Sequence, residues 1–188
     1  MFFLLGKDHI ADLTGYDHIL FVMALCVRYL PKDWKKVLVL VTAFTIGHSL
    51  TLALSALNYI DVSTRWIEFL IPVTIVVTSL SNVLQKDLSF KSRFPLIYFF
   101  ALFFGLIHGL GFSNYLKSLL GHDKNIVAQL LAFNLGLEAG QLLIVIGVML
   151  LSVICIRGLK FQRREYILFM SGAIFSTALI MTIDRFPK

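Results

Sequence analysis

Six apolar stretches of about twenty residues, separated by short polar breaks, constrain this chain more than any other feature. A helix that crosses the hydrocarbon core of a bilayer needs about 20 mostly apolar residues. Only helices and closed barrels satisfy their backbone there. The runs are continuous rather than alternating, which excludes a spanning barrel. The pattern predicts an all-α, polytopic membrane bundle of about six transmembrane helices, over 10–30, 37–57, 67–84, 96–116, 126–156 and 166–183. Composition agrees, with 58% apolar and 15% charged residues and a mean hydropathy of +0.84. A soluble domain has about 45–50% and about 25% respectively. Disorder needs low apolar content and high net charge, and neither is present.

The breaks carry ordinary stop signals: Pro31, Asn58 with Asp61, Lys86 to Arg93 before Pro95, Gly121 to Asn125, and Arg157 to Glu165. None is long enough for a second domain, so residues 1–188 are expected to form a single transmembrane domain. Of the seventeen Lys and Arg, eleven fall in the breaks after helices one, three and five, and six on the other side. The positive-inside rule places the eleven in the cytoplasm and both termini outside. This predicts a multi-pass protein of the cell's inner (plasma) membrane, with the lipid bilayer as its surroundings. The net charge of +6 is thereby used in topology, and nucleic acid is not an expected partner. An oligomer is compatible with the sequence. Tyr29 and Trp34 suit an inner aromatic belt, and Tyr59, Trp66 and Tyr115 an outer one. Cys26 and Cys155 sit in different apolar runs and are expected to pack, not to pair. The opening MFFLLGKDH has too short an apolar run for a cleavable signal peptide.

Ionisable residues inside a membrane are expensive and rare. The second helix holds one, His48; the fourth holds one, His108; the fifth holds one, Glu138. The first carries Asp12, Asp17 and His18, with His9 just before it. At 1.5 Å rise per residue, His48 lies about 14 Å, His108 about 12 Å, Glu138 about 18 Å and His18 about 13 Å along their helices. The depths coincide in one slab, so these groups can meet only in the bundle interior. Thr45, His48 and Thr51 share one helix face, as do Asn134, Glu138 and Gln141. Thr45, Ser49, Thr51, Asn134 and Gln141 are therefore expected as polar neighbours that orient the ligands or stitch helices together. Thr74, Thr78 and Ser81 repeat the pattern more weakly. Asp12 is expected to cap a turn; Glu68 and His122 read as interfacial or loop residues; Phe99 to Phe104 reads as packing or lipid contact.

Imidazole and carboxylate ligands suit a divalent transition metal, namely Ni, Co, Zn or Fe. The expected ligands are Asp17, His18, His48, His108, Glu138 and His9. Asp17 and His18 point about 100° apart on a regular helix, so both serve one site only if Gly15 loosens the turn or if one of them acts from behind the ligands. Three functions compete: a divalent-cation transporter, an intramembrane zinc-dependent hydrolase with Glu138 or Asp17 as general base, and an accessory subunit with a structural metal. For each histidine the plain alternative is a hydrogen bond between helices.

Four blocks carry a family resemblance: Gly15-Tyr16-Asp17-His18-Ile19-Leu20-Phe21, TAFTIGHSLTLAL around His48, FGLIHGLGF around His108, and FNLGLEAGQ around Glu138. Together, over roughly 6–142, they resemble the HupE/UreJ group of membrane proteins, associated with nickel or cobalt uptake for hydrogenase and urease maturation. The resemblance implies a small helical bundle that handles a divalent metal. Nickel-type members read H-x5-D-H in the first helix, where this chain reads H-x7-D-H from His9 to His18. Their F-H-G-x-[AV]-H-G-x-E has Phe104 at its first His position and Gly111 at its Glu position here. His48 and Glu138 are the residues available to substitute.

Overall fold

The computed structural model describes residues 1–85, 96–120 and 126–187. Among them are eight α-helices and no strand: α1 (Phe2–Ile10), α2 (Asp17–Cys26), α3 (Trp34–Ala56), α4 (Thr64–Leu84), α5 (Ile97–Gly111), α6 (Ser113–Leu120), α7 (Ile126–Val153) and α8 (Arg163–Asp184). The 3-10 turn Pro31–Asp33 leads into α3, and the π turn Ile154–Gly158 extends α7. The predicted breaks over 86–95 and 121–125, with their basic residues and His122, lie outside the described residues, as does Lys188.

By length and composition four helices can cross a membrane: Pro31–Ala56, Thr64–Leu84, Ile126–Gly158 and Arg163–Asp184. A fifth span results if Ile97–Gly111 and Ser113–Leu119 count as one, bent by 50°. The first predicted helix needs correction. Residues 10–30 are not one rod; the chain breaks between α1 and α2, which have 9 and 10 residues. Ten residues reach about 15 Å, half of the hydrocarbon core. The break has a local cause. Asp12 Oδ1 accepts bonds from the Thr14 N–H (2.8 Å) and the Thr14 hydroxyl (2.7 Å), a side-chain turn that competes with helix propagation.

Glycines set the closest helix contacts. On α3 and α5, a Cβ at Gly47 would overlap the Leu102 carbonyl, one at Gly105 the Phe44 carbonyl, and one at Gly109 the His48 carbonyl. On α1 and α7, Gly6 meets the Phe133 carbonyl, Gly136 the Phe3 carbonyl and Gly140 the Lys7 backbone and Ile10 side chain. The difference in residue number stays nearly constant along each pair, so each pair runs parallel. Without a hydrophobic force between helices in lipid, such small-residue contacts and cross-helix hydrogen bonds carry association. The bonds are present. Thr51 donates to Leu106 O at 2.8 Å, and Asn82 Nδ2 to Ala24 O at 2.7 Å, joining α4 to α2. Arg164 on α8 donates to the Asn82, Val83 and Gln85 carbonyls and so closes the end of α4.

The core contains Phe21, Leu40, Phe44, Ile75, Phe133 and Leu137. The outside is apolar: Ile46, Leu50, Phe99, Phe103, Leu131, Leu143, Phe169 and Ile180 are all exposed. Contiguous apolar surface on this scale marks lipid contact. Trp34, Tyr59, Trp66 and Tyr115 are exposed, in keeping with the expected belts, whereas Tyr29 is buried in the core. Both cysteines are free.

Gly105→Ala is expected to destabilise the protein by about 1–3 kcal/mol, the usual cost of overpacking. Gly147, whose Cβ would meet nothing within 4 Å, should tolerate Ala with an unchanged or slightly raised melting temperature. Thermal unfolding in detergent of both variants checks the contrast.

Candidate metal centre

The break between α1 and α2 builds the centre. On an unbroken helix His9 and His18 would stand about 13 Å apart along the axis. The Asp12 turn instead folds the end of α1 back against the start of α2, and the two imidazole centroids are 4.5 Å apart. His48 comes from the middle of α3, with its ring 5.9 Å from that of His9 and 6.0 Å from that of His18. One ligand atom from each of His9, His18 and His48 lies within 4.8 Å of the others. His108, on α5, flanks the trio with its ring 5.1 Å from His18. All four are buried or nearly so; His48 and His108 are fully inaccessible.

The walls are aromatic. Phe112, at the bend between α5 and α6, lies 3.9 Å from His9, and Phe133 stacks on Phe112 at 5.2 Å. Phe21 and Phe44 close the opposite side around His108. Among the described residues His9 Nε2, His18 Nε2, both nitrogens of His48, and His108 Nδ1 have no hydrogen-bond partner. A buried polar atom without a partner costs on the order of 1–3 kcal/mol. Several of them aimed at one point fit a ligand with an affinity for lone pairs, and the all-nitrogen donor set fits a borderline transition-metal ion. In a tetrahedral site of Zn–N length about 2.0–2.1 Å the nitrogens stand about 3.3 Å apart, so binding asks for an inward shift of about an ångström.

Thr74 Oγ1 lies 2.7 Å from Ile71 O and 3.0 Å from His108 Nε2. With its one proton on Ile71 O, the hydroxyl accepts from Nε2 and the imidazole lone pair is on Nδ1, the atom without a partner among the described residues. Such an outer hydrogen bond orients a ligating imidazole and fixes its tautomer.

A cavity of about 350 Å³ reaches the histidines from one end of the bundle. His9, His18 and His108 form part of its lining, with Asp12, Asp17, Glu68 and Arg185 further along. Asp12 caps its turn as expected, its carboxylate accepting from the Thr14 hydroxyl and N–H. Glu68, read as interfacial, is exposed on the cavity wall.

The structure thus brings together His9, His18, His48 and, beside them, His108. It does not bring Asp17 or Glu138 into the trio. Asp17 is held by Arg185, at 2.7 and 3.3 Å. Glu138 accepts from the Thr42 hydroxyl at 3.1 Å, and Gln141 accepts from Thr45 at 2.7 Å. Both bonds join α3 to α7 on the far side of His48 from the α3 C-terminus. Of the other expected neighbours, Thr51 serves the α3–α5 contact, Ser49 is half-buried, and Asn134 Oδ1 is buried without a partner. Arg185, Thr42, Phe112 and Phe133 were not singled out from the sequence. Arg185 had a signal, being a cation just past an apolar helix; the two phenylalanines are indistinguishable from core residues before folding.

The model of the HupE / UreJ protein family matches residues 1–185. The chain belongs to the HupE/UreJ family. No curated protein and no solved structure matches it. In this HupE/UreJ protein GYDHILF spans the turn into α2, TAFTIGHSLTLAL forms the middle of α3, FGLIHGLGF ends α5, and FNLGLEAGQ lies in α7. Its apolar spans and its family make it a multi-pass membrane protein in contact with lipid. The family is linked to metal handling, and the histidine cluster stands where its sequence blocks meet.

Asp12→Ala should release the turn and lower the melting temperature, whereas Asp12→Asn, which keeps an acceptor oxygen, should retain most of it. Melting curves of wild type and both variants check this.

Proposed function

We propose that this HupE/UreJ protein binds a divalent transition metal through His9, His18 and His48, with His108 as a flanking imidazole, and carries it across the cell's inner membrane. The observation that carries the reading is the convergence of three imidazoles, two buried and one half-buried, with ligand atoms within 4.8 Å and nitrogens that have no other partner among the described residues. Imidazole suits nickel, cobalt and zinc, and the family's association favours nickel or cobalt. In this reading residues 1–188 are one transmembrane domain. The α1–α2 pair counts as the first of six spans, both termini face outward, and the cavity opens outside. The metal enters past Asp12 and Glu68, exchanges its waters for imidazoles, and leaves inward past Thr45–Gln141 and Thr42–Glu138. These paired groups supply oxygens one and two helical turns beyond His48. Phe21 and Phe44 pack against this side of the histidines, so passage requires helix rearrangement, as in alternating access.

A second reading draws on the same geometry. Three imidazoles at the floor of an open cavity resemble a catalytic zinc site that keeps one position for water. The protein would then be an intramembrane hydrolase with a carboxylate as general base. The occupied state of Asp17 and the separation of Glu138 from the trio make this the weaker alternative.

Cells expressing wild type should accumulate nickel, cobalt or zinc above empty-vector cells, and His9→Ala and His48→Ala should return to the empty-vector level. Equal accumulation in all strains rejects transport; metal content of the purified protein then tests the hydrolase. Thr74→Val should weaken binding by about 10–100-fold, the usual effect of removing an orienting partner, and Thr74→Ser should restore it.

A further inference from the structure

Asp17 immediately precedes a metal-facing histidine and lines the entrance, but its carboxylate is engaged. Arg185, just past the end of α8, gives Nη1 to Oδ2 at 2.7 Å and Nη2 to Oδ1 at 3.3 Å. This two-pronged bond is the strongest form that a carboxylate makes with a side chain. Both residues belong to the wall of the cavity that ends on His9, His18 and His108. The Asp17 side chain is 13% exposed and that of Arg185 34%, so the guanidinium can leave for water or toward Glu68, which shares both of its cavities.

The pair is a poor structural tie. A partly exposed ion pair contributes about 0–1 kcal/mol. α8 is seated without it, through its packing on α4 and the three carbonyl bonds of Arg164. As an electrostatic element it has more consequence. The charged groups around the cavity are Asp12, Asp17, Glu68 and Arg185. The one cation among them occupies the carboxylate nearest the imidazoles in sequence, on the route an entering ion takes.

We infer that Arg185 is a tethered competitor of the metal ion for Asp17. The carboxylate serves the guanidinium while the histidines are free and turns to the divalent cation as it arrives, and the returning guanidinium helps to expel the ion. The inference rests on the metal-binding reading above. It assigns Arg185 a positioning role in affinity and release. Because coupling is reciprocal, metal binding weakens the ion pair by the same factor by which the pair weakens metal binding.

The test is a Co²⁺ titration of the full-length protein in detergent, read by cobalt ligand-field absorption, with melting temperatures measured in parallel. Arg185→Gln should bind Co²⁺ about tenfold more tightly than wild type, within the usual range of a coupling between two ligands. Arg185→Lys keeps the charge but loses the fork and should fall between them. In an Asp17→Asn background, Arg185→Gln should change the affinity by less than about twofold, since the coupled pair is already broken. Unchanged or weaker binding by Arg185→Gln, or a full effect that persists with Asp17→Asn, overturns the inference. So does an equal fall in melting temperature for Arg185→Gln and Asp17→Asn with unchanged affinity. If wild type and His48→Ala both fail to bind Co²⁺, the metal-binding reading itself has failed; if wild type binds and His48→Ala does not, only the role of Arg185 is at stake.

Discussion

Backbone contact at glycine is the constraint on which this structure depends. A bilayer offers no hydrophobic gain for bringing two apolar helices together, so they must fit closely enough for dispersion and hydrogen bonding to do it. Gly47, Gly105 and Gly109 let α3 and α5 touch main chain to main chain. That contact packs the α3 turn of His48 against the α5 turn of His108 through Gly109. Gly6, Gly136 and Gly140 do the same for α1 and α7, which brings His9 to the face where Phe133 stands. His9, His48 and His108 sit on helices joined at these glycine contacts, where backbones come near enough for short imidazole side chains to meet.

The short helices matter as much as the long ones. A continuous first span would have spread His9 and His18 over two and a half turns. The turn at Asp12 and Thr14 trades a few helical hydrogen bonds for side-chain ones and sets the two rings edge to face instead. Non-helical backbone at membrane depth is tolerated where it lines a polar cavity, and this segment lines one. The bend at Phe112 is the counterpart on the other side, where α5 ends and its phenylalanine closes over His9.

The electrostatics divide the polar groups by task. Imidazoles, which are neutral when deprotonated, occupy the driest position, where a fixed charge would be costly. The carboxylates stand at the margins: Asp17 compensated by Arg185, Glu68 on the cavity wall, Glu138 bonded to Thr42. A divalent ion would add its charge at the centre of this arrangement, with carboxylates within reach of its field but not all bound to it.

The sequence alone determined the class of the fold and marked the imidazoles set in apolar runs. Apolar runs of membrane length have no other stable form than helices, and an imidazole in such a run is conspicuous because its cost has to be met. His18, His48 and His108 were legible for that reason, and the blocks around them were enough to point to the family. Tertiary structure decided which of those groups meet. His9, at the edge of an apolar run, became central because a side-chain turn outweighed helix propagation. Asp17 was taken by a cation 168 positions away in the chain, and Glu138 by a threonine 96 positions away. Such pairings are set by the distance and angle between helix axes, quantities that depend on which glycines face one another and that no single segment encodes.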